Sequence, residues 1–225
     1  METLETLPSI IESMAAIAAG KAWRVGPSSI GTRDNPYGVG PTPNPRNGRV
    51  CMAELDPRQR GLFAAAWSVG YLSAFAASGA EALILGTPTG PRGAIYRRLT
   101  DPQPWFDDVE PPRVYPLYHV IAAAAAASGC DIQAVTSNAP RRLAGFGWRA
   151  GKTTRLILAN LTPDNVHVRL AGGPLSGATY RLLDDTAFAT ASAEPNWADH
   201  PGKPLNVKGT ALGPYAVAFV KLGAP

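Results

Sequence analysis

The sequence predicts an α/β portion followed by an all-β portion, and three observations support this fold class. Helical apolar periodicity alternates with short strand-like runs up to Gly129 and then disappears. The connections from helix to strand are short, whereas both connections from strand to helix are long. Beyond residue 130, short alternating runs are separated by Gly, Pro, Asn and Asp, which is typical of an antiparallel β-sandwich.

The first portion contains three predicted helices and two predicted strands. Asp56-Pro57 is a favourable helix start, because Asp caps the free backbone N–H groups and Pro fits the first turn. The unbroken apolar run 82–85 is typical of a parallel strand that is buried on both faces. The predicted elements in chain order are a helix at 4–19, a strand at 22–26, a helix from 57 to Gly79, a strand at 82–85 and a helix at 115–128.

Strands that alternate with helices predict parallel βα units, whose binding sites lie at the carboxyl ends of the strands. Two such units cannot close a barrel, and an isolated parallel pair leaves open edges. We therefore expect residues 1–129 to form the terminal βα units of an incomplete TIM-type (β/α)8 barrel, completed by a missing amino-terminal part or by another chain. Residues 130–225 form the predicted β-sandwich domain. The open barrel edges predict self-association.

The second portion supplies the strands of that sandwich. Turn-forming residues separate them, as in the stretch 162–165. The seven predicted strands are 132–137, 143–149, 153–161, 166–170, 179–183, 205–207 and 215–222.

Composition and charge exclude several classes of function. The net charge is +4 and the pI is about 9.2, but the basic residues are scattered rather than clustered, so we expect no nucleic-acid partner. Cys51 and Cys130 cannot form a disulfide framework and are expected to be small buried side chains. Glu2 and Glu5 do not fit a secretory signal, and the longest apolar run is too short to cross a bilayer. We therefore expect a cytoplasmic protein without a membrane partner.

Three further groups of residues resemble the bacterial D-apionate lactonase family, and together they extend through essentially the whole chain. The matching stretches read RVGPSSIG at 24–31 with Arg33 and NPYG at 35–38, MA at 52–53 with DPRQRG at 56–61 and AAW at 65–67, and YPLYH at 115–119. The resemblance implies a barrel whose last two strands lie here, a trailing β-sandwich, and hydrolysis of a sugar-acid lactone. On this resemblance the chain lacks the earlier barrel strands, so we expect that any residue the activity requires from those strands is not supplied here.

The end of the first predicted strand favours a lactone over a glycoside as substrate. Glycoside hydrolysis requires paired carboxylates, and the nearest acid beyond this strand is Asp34. A lactone is an activated ester that requires an activated water or hydroxyl and a group that stabilises the oxyanion. Ser28 and Ser29 follow the strand without a GxSxG motif, so we interpret them as hydrogen-bonding residues rather than as covalent nucleophiles.

Polar side chains on the two long loops are the candidate substrate-binding residues. Arg binds carboxylate and carbonyl oxygens in a bidentate manner, and Asn, Tyr and Thr offer further hydrogen bonds to a sugar acid. An Arg/Asn-rich loop exposed to solvent is the alternative interpretation. The predicted substrate-binding set is Ser28, Ser29, Arg33, Asn35, Tyr37, Arg49, Thr87 and Thr89.

No catalytic residue, metal site or cofactor is assigned from the sequence. His119, His167 and His200 are dispersed, and none has a partner at metal-ligand spacing. Two other functions remain open: a non-catalytic carbohydrate-binding or assembly module, with Trp148 and Trp197 as sugar-stacking residues, and a fragment of a glycoside hydrolase. The favoured hypothesis is the carboxyl-terminal part of a sugar-acid lactonase that binds a small lactone or carbohydrate.

Overall fold

The computed structural model describes residues 1–108 and 113–223. The last four residues of the predicted loop 87–112 therefore lie outside the described part of the chain. The α/β portion has the predicted order of elements. They are α1 (Leu7–Ala18), β1 (Arg24–Ser28), α2 (Leu62–Phe75), β2 (Ala82–Leu85) and α3 (Pro116–Ala125), with 3₁₀ helices at Glu2–Thr6 and Pro57–Arg60.

β1 and β2 lie side by side as a parallel pair, as the alternation of helices and strands predicts. Arg24 is in register with Ala82, and Val25 with Leu83. The prediction that β2 is buried on both faces is wrong, because none of its four residues is fully buried and Ile84 is 50% exposed. Among the described residues, these two strands form a sheet of their own rather than a closed barrel.

The long helix predicted from Asp56-Pro57 is divided into a 3₁₀ turn and α2. The carboxylate of Asp56 accepts a hydrogen bond from the backbone N–H of Arg58, which caps the short turn. Gly61 then has an extended backbone, so the helix restarts at Leu62. Within the described residues, no helix is both long enough and apolar enough to cross a membrane.

The all-β portion contains a six-stranded antiparallel sheet and a two-stranded one. The larger sheet has the strand order β3-β4-β5-β10-β7-β8, and β6 pairs with β9. The short helix α4 (Phe188–Ala193), which the sequence did not predict, precedes β8. The strands are β3 (Asp131–Gln133), β4 (Leu143–Ala150), β5 (Thr153–Asn160), β6 (Val166–Val168), β7 (Thr179–Leu183), β8 (Lys203–Pro204), β9 (Thr210–Leu212) and β10 (Val217–Lys221).

The predicted strand at 205–207 is wrong. This stretch joins β8 to β9, and the Asn206 side chain accepts a hydrogen bond from the backbone N–H of Lys208. Asn side chains that bond to the backbone two residues ahead favour turns over strands. The two apolar residues of this stretch misled the strand prediction.

The six-stranded sheet is covered on both faces. On one face, Val69 of α2 and Val120 of α3 belong to the same buried cluster as Trp148 and Ile157 of the sheet. On the other face, Leu212 of β9 packs in a second cluster with sheet residues. The α/β portion and the sheet therefore share one core.

The cysteines are less buried than the sequence predicted. Both are free thiols; Cys51 is exposed and Cys130 is partly exposed. Cys51 lies in the long loop that follows β1, outside the hydrophobic clusters of the core. The prediction that both are small buried side chains is therefore wrong.

Candidate substrate-binding site

The carboxyl ends of β1 and β2 lie together and begin two long loops. The backbone N–H of Gly86 donates a 2.8 Å hydrogen bond to the carbonyl of Ser28, which places Ser28 beside the start of the loop that carries Thr87. We define residues 29–56 as the first rim loop and residues 86–108 as the second rim loop. This is the edge at which parallel βα units bind ligands.

Arg92 of the second rim loop ties the two loops together. One nitrogen of its guanidinium, Nη1, lies 2.9 Å from the carboxylate of Glu54 and 3.3 Å from the carbonyl of Thr32. At a second point, the amide of Asn47 donates a 3.3 Å hydrogen bond to the carbonyl of Pro102. These contacts between residues far apart in sequence fix the loops relative to each other.

Gln59 forms hydrogen bonds with both rim loops, and it was not identified from the sequence as a site residue. Its side chain is almost fully buried and donates a 3.2 Å hydrogen bond from Nε2 to the carbonyl of Arg92. The backbone N–H of Ile30 donates to its Oε1 at 3.4 Å. A buried Gln must satisfy both ends of its amide, so its position indicates a bridging role. No local pattern in the sequence signals this bridge.

Ser28 is fixed by a hydroxyl of helix α2. Its Oγ lies 2.7 Å from Oη of Tyr71, whose ring is buried. Burial raises the pKa of the Tyr71 hydroxyl, so Tyr71 keeps its proton near neutral pH. Among the described residues, no histidine or carboxylate bonds to Ser28. This geometry supports a hydrogen-bonding role for Ser28 rather than a role as an activated nucleophile.

The other polar groups at the strand ends stabilise turns. The hydroxyl of Ser29 donates to the carbonyl of Gly31 at 3.0 Å, and the hydroxyl of Thr87 donates to the carbonyl of Thr89 at 2.8 Å. Each hydroxyl oxygen still has lone pairs that can accept a hydrogen bond. Thr89 itself is exposed. Ser29 and Thr87 thus shape the rim and present acceptors there.

The remaining predicted site residues lie in the first rim loop and are largely free of protein contacts. Tyr37 is 90% exposed, and Arg33 and Arg49 are also exposed. The carbonyl of the Asn35 side chain accepts a hydrogen bond from the backbone N–H of Tyr37, which forms a turn. Within the described part of the chain, none of these four side chains bonds to the strand-end group around Ser28. The predicted site residues therefore fall into two clusters. The strand-end cluster is Ser28, Ser29, Thr87 and Thr89, and the loop cluster is Arg33, Asn35, Tyr37 and Arg49.

The first rim loop carries three arginines that can bind an anionic group, beside the exposed carboxylate of Asp34. Arg33, Arg46 and Arg49 form no ion pair with a described residue, whereas the nearby Glu54 is paired with Arg92. The described residues also contain no group of three His, Cys, Asp or Glu side chains that could hold a metal ion. The rim therefore offers hydrogen-bond donors and positive charge, which can bind a carboxylate or a developing oxyanion.

Trp148 and Trp197 do not form an exposed stacking platform. They are only 2% and 3% exposed and belong to the core between the helices and the six-stranded sheet. The alternative in which these two residues stack on sugars from a sandwich face is wrong, and both are core residues, as single tryptophans in sandwiches more often are. Alternation within a strand does not reveal which face is covered, and here the face that carries Trp148 packs against helices.

Two family models match most of the chain. Residues 1–129 match the model described as D-apionate lactonase, TIM barrel domain, and residues 140–220 match D-apionate lactonase, C-terminal immunoglobulin-like domain. A 93-residue stretch is 42% identical to D-apionate lactonase of Brucella anthropi. That stretch is 41% of this chain but only 15% of the relative's length, so the match covers a small part of the relative.

Solved structures share the fold at low sequence identity. A conserved exported protein from Bacteroides fragilis gives a TM-score of 0.58 at 12% identity, over 97% of this chain and 42% of that protein. A GH30 endoxylanase from Clostridium papyrosolvens C71 gives 0.55 at 10% identity, over 97% of this chain and 46% of that protein. With the family models, these likenesses confirm the predicted fold class, the end of a TIM-type barrel followed by an antiparallel sandwich.

Proposed function

This chain belongs to the D-apionate lactonase family, and from this premise we propose that it forms part of a sugar-acid lactonase whose rim loops bind the substrate. The observation that carries the proposal is the pairing of Ser28 with Gly86, which brings two donor-rich loops to one edge of the β1–β2 pair. The curated relative is named for D-apionate, so a lactone of D-apionate is the proposed substrate.

The chemistry of lactone hydrolysis fits groups of the kind that the rim carries. Water adds to the lactone carbonyl, a tetrahedral oxyanion forms, and the ring C–O bond breaks to leave a hydroxyl and a carboxylate. Positive charge and hydrogen-bond donors stabilise both the oxyanion and the product carboxylate. We propose Arg33 and Arg49 for this role, with Asn35, Tyr37, Thr87 and Thr89 as contacts to sugar hydroxyls and Ser28 and Ser29 as strand-end hydrogen-bonding groups.

The group that activates the water is not assigned. In the described residues, Glu54 is engaged by Arg92 and the strand-end serines lack a neighbouring base. We propose that further βα units supply that group and pack along the open edges of β1 and β2. The 50% exposure of Ile84 supports such a partner surface.

Binding of the product can be measured on this chain alone. In a titration of the ¹⁵N-labelled chain with D-apionate, we expect amide shifts in the strand ends and rim loops, near Ser28 and Thr87. Arg33→Ala should weaken binding about tenfold, the loss expected for one charge-assisted hydrogen bond worth ~1.5 kcal/mol.

Lys152 provides a matched control, because it is an exposed cation on the turn between β4 and β5. Lys152→Ala should leave the affinity for D-apionate unchanged. The proposal fails if millimolar D-apionate produces no shifts in either rim loop, or if Lys152→Ala and Arg33→Ala weaken binding equally.

A further inference from the structure

A separate cleft of about 650 Å³ lies between α3 and the six-stranded sheet. None of its lining residues belongs to either rim loop. His119 and Ala122 of α3 and Ala126, which caps the helix, recur at spacings of three and four, so they share one face of the helix. The short alanine side chains leave space against the sheet. The volume lies in the ~300–1,000 Å³ range of small-molecule sites.

On the sheet side of the cleft, two cationic side chains lie directly opposite each other on neighbouring strands. Arg155 of β5 pairs with Lys221 of β10, so the two side chains project from the same face. Like charges directly opposite each other destabilise a sheet. Neither side chain forms an ion pair with a described residue, yet both line the cleft. A bound anion would remove this repulsion.

Residues 195–202 form the third wall of the cleft. The lining residues taken together carry excess positive charge. Asp199 is the single carboxylate among the lining residues, against the three cations Arg155, Arg181 and Lys221. Arg181 is held in position, because its Nη1 donates to the carbonyl of Pro201 at 3.0 Å and its guanidinium lies 4.4 Å from the centre of the Trp197 ring. A fixed guanidinium binds a carboxylate with little loss of side-chain entropy.

Polar atoms without partners are concentrated in residues that line this cleft. Of the seven such buried atoms in the described residues, three are Nδ1 of His119, Nε1 of Trp148 and Nε of Arg181. Nε2 of His119 donates to the carbonyl of Ala191 at 2.8 Å, so in the neutral ring Nδ1 is an acceptor. Burial lowers the pKa of His119, which favours that neutral form.

The three atoms are two donors and one acceptor. They are covered by neighbouring groups, so a ligand first meets the exposed heads of Arg155 and Lys221.

We propose that this α3–sheet cleft is a second ligand site, which binds a small hydroxylated carboxylate. The proposal rests on the register of Arg155 and Lys221, the fixed guanidinium of Arg181 and the small-residue wall of α3, with the lining side chains of Thr179 and Asp199 as polar groups for hydroxyls. It does not require lactonase activity. Because the cleft joins helix and sheet, an anion bound there also links the two portions of the chain.

Three probes separate the contributions of charge and hydroxyl groups. D-gluconate carries both, glucitol carries hydroxyls without a carboxylate, and acetate carries a carboxylate without hydroxyls. In an NMR titration we expect D-gluconate to shift the amides of residues 155, 179 and 221, and to bind at least about tenfold more tightly than either other probe.

Two variants test the site directly. The double variant with Arg155→Gln and Lys221→Gln should weaken D-gluconate binding about tenfold or more. Both exposed side chains that contact the anion first lose their charge. Ala122→Phe should block the cleft from an exposed position of α3 without changing the core. Lys152→Gln serves as a control outside the cleft and should leave this binding unchanged.

The location of the shifts distinguishes this proposal from the lactonase proposal. Shifts confined to the rim loops, no shifts at millimolar D-gluconate, or equal binding of glucitol would overturn the cleft site and leave the rim site untouched. Loss of D-apionate binding at the rim, with D-gluconate still bound in the cleft, would overturn only the lactonase proposal.

Discussion

At the scale of single residues, the contact between Ser28 and Tyr71 is the best-defined feature of the candidate substrate-binding site. It joins the last residue of β1 to the middle of α2 through two hydroxyl groups 2.7 Å apart. From the sequence we interpret Ser28 as a hydrogen-bonding residue, and its hydroxyl makes such a bond here. The contact with Tyr71 was not predictable, because 43 residues separate the two along the chain.

A double-mutant cycle tests this contact. Ser28→Ala and Tyr71→Phe should each lower the free energy of unfolding by about 1 kcal/mol, because each leaves a partly buried hydroxyl or its partner unsatisfied. The double variant should lose clearly less than the sum, with a coupling energy of about 1 kcal/mol. Urea denaturation of the four proteins measures these values, and strict additivity would show that the hydroxyls do not interact in solution.

At the scale of elements, α3 is fixed to the all-β portion by the imidazole of His119. This residue is 1% exposed, and its Nε2 donates to the carbonyl of Ala191 in α4. Burial lowers its pKa below the usual value of 6.5, an effect that the bond to Ala191 and the nearby carboxylate of Asp199 oppose and that the charge of Arg181 reinforces. The docking of α3 should therefore depend on pH.

The direction of this dependence follows from the lowered pKa. Above pH 6.5 the ring is neutral in both folded and unfolded chains. As the pH falls below 6.5, the unfolded chain takes up a proton that the folded chain does not, so stability falls by at most about 1.4 kcal/mol per pH unit. This loss ends when the pH passes the lower pKa of the folded state.

Replacing His119 should make the free energy of unfolding depend less on pH below pH 7. We expect His119→Gln to be less stable at pH 7, because it disturbs a buried contact, but to lose less additional stability on acidification than the unchanged protein. His167→Gln is the matched control on an exposed strand position. Parallel pH profiles for the His119 variant and the unchanged protein would contradict the assignment.

At the scale of the whole molecule, the shared core predicts that helices and sheet unfold together. Leu183 of β7 is fully buried in the cluster that contains Val69 of α2 and Val120 of α3. Leu183→Ala should cost about 2–5 kcal/mol, the usual range for a buried leucine. Because the cluster is continuous, we expect the amides of α2 to lose protection along with those of the sheet.

Hydrogen exchange followed by mass spectrometry measures this coupling. Leu183→Ala should accelerate exchange in peptides from α2 and α3 by a factor similar to that in β5 and β10. Ile17→Ala provides the control, since Ile17 is 85% exposed and should leave exchange in the core unchanged. Faster exchange confined to the strands would indicate that the two portions open independently.

The sequence by itself determined the fold class, since the period of apolar residues changes from helical to alternating near Gly129 and depends only on local backbone geometry. It also placed the long loops at the carboxyl ends of β1 and β2, and with them the predicted substrate-binding residues. It misassigned the strand at 205–207 and the exposure of Cys51, where turn chemistry and loop surroundings outweighed composition.

Only the tertiary structure decided which side chains meet. The bridge from Gln59 to both rim loops, the pair of Arg92 with Glu54, and the burial of Trp148 beneath helices all join residues that are distant along the chain. The cleft beside α3 likewise exists because small side chains of a helix face a row of cations from separate strands. Such contacts depend on packing between elements, and the local periodicity that specifies each element contains no information about its neighbours.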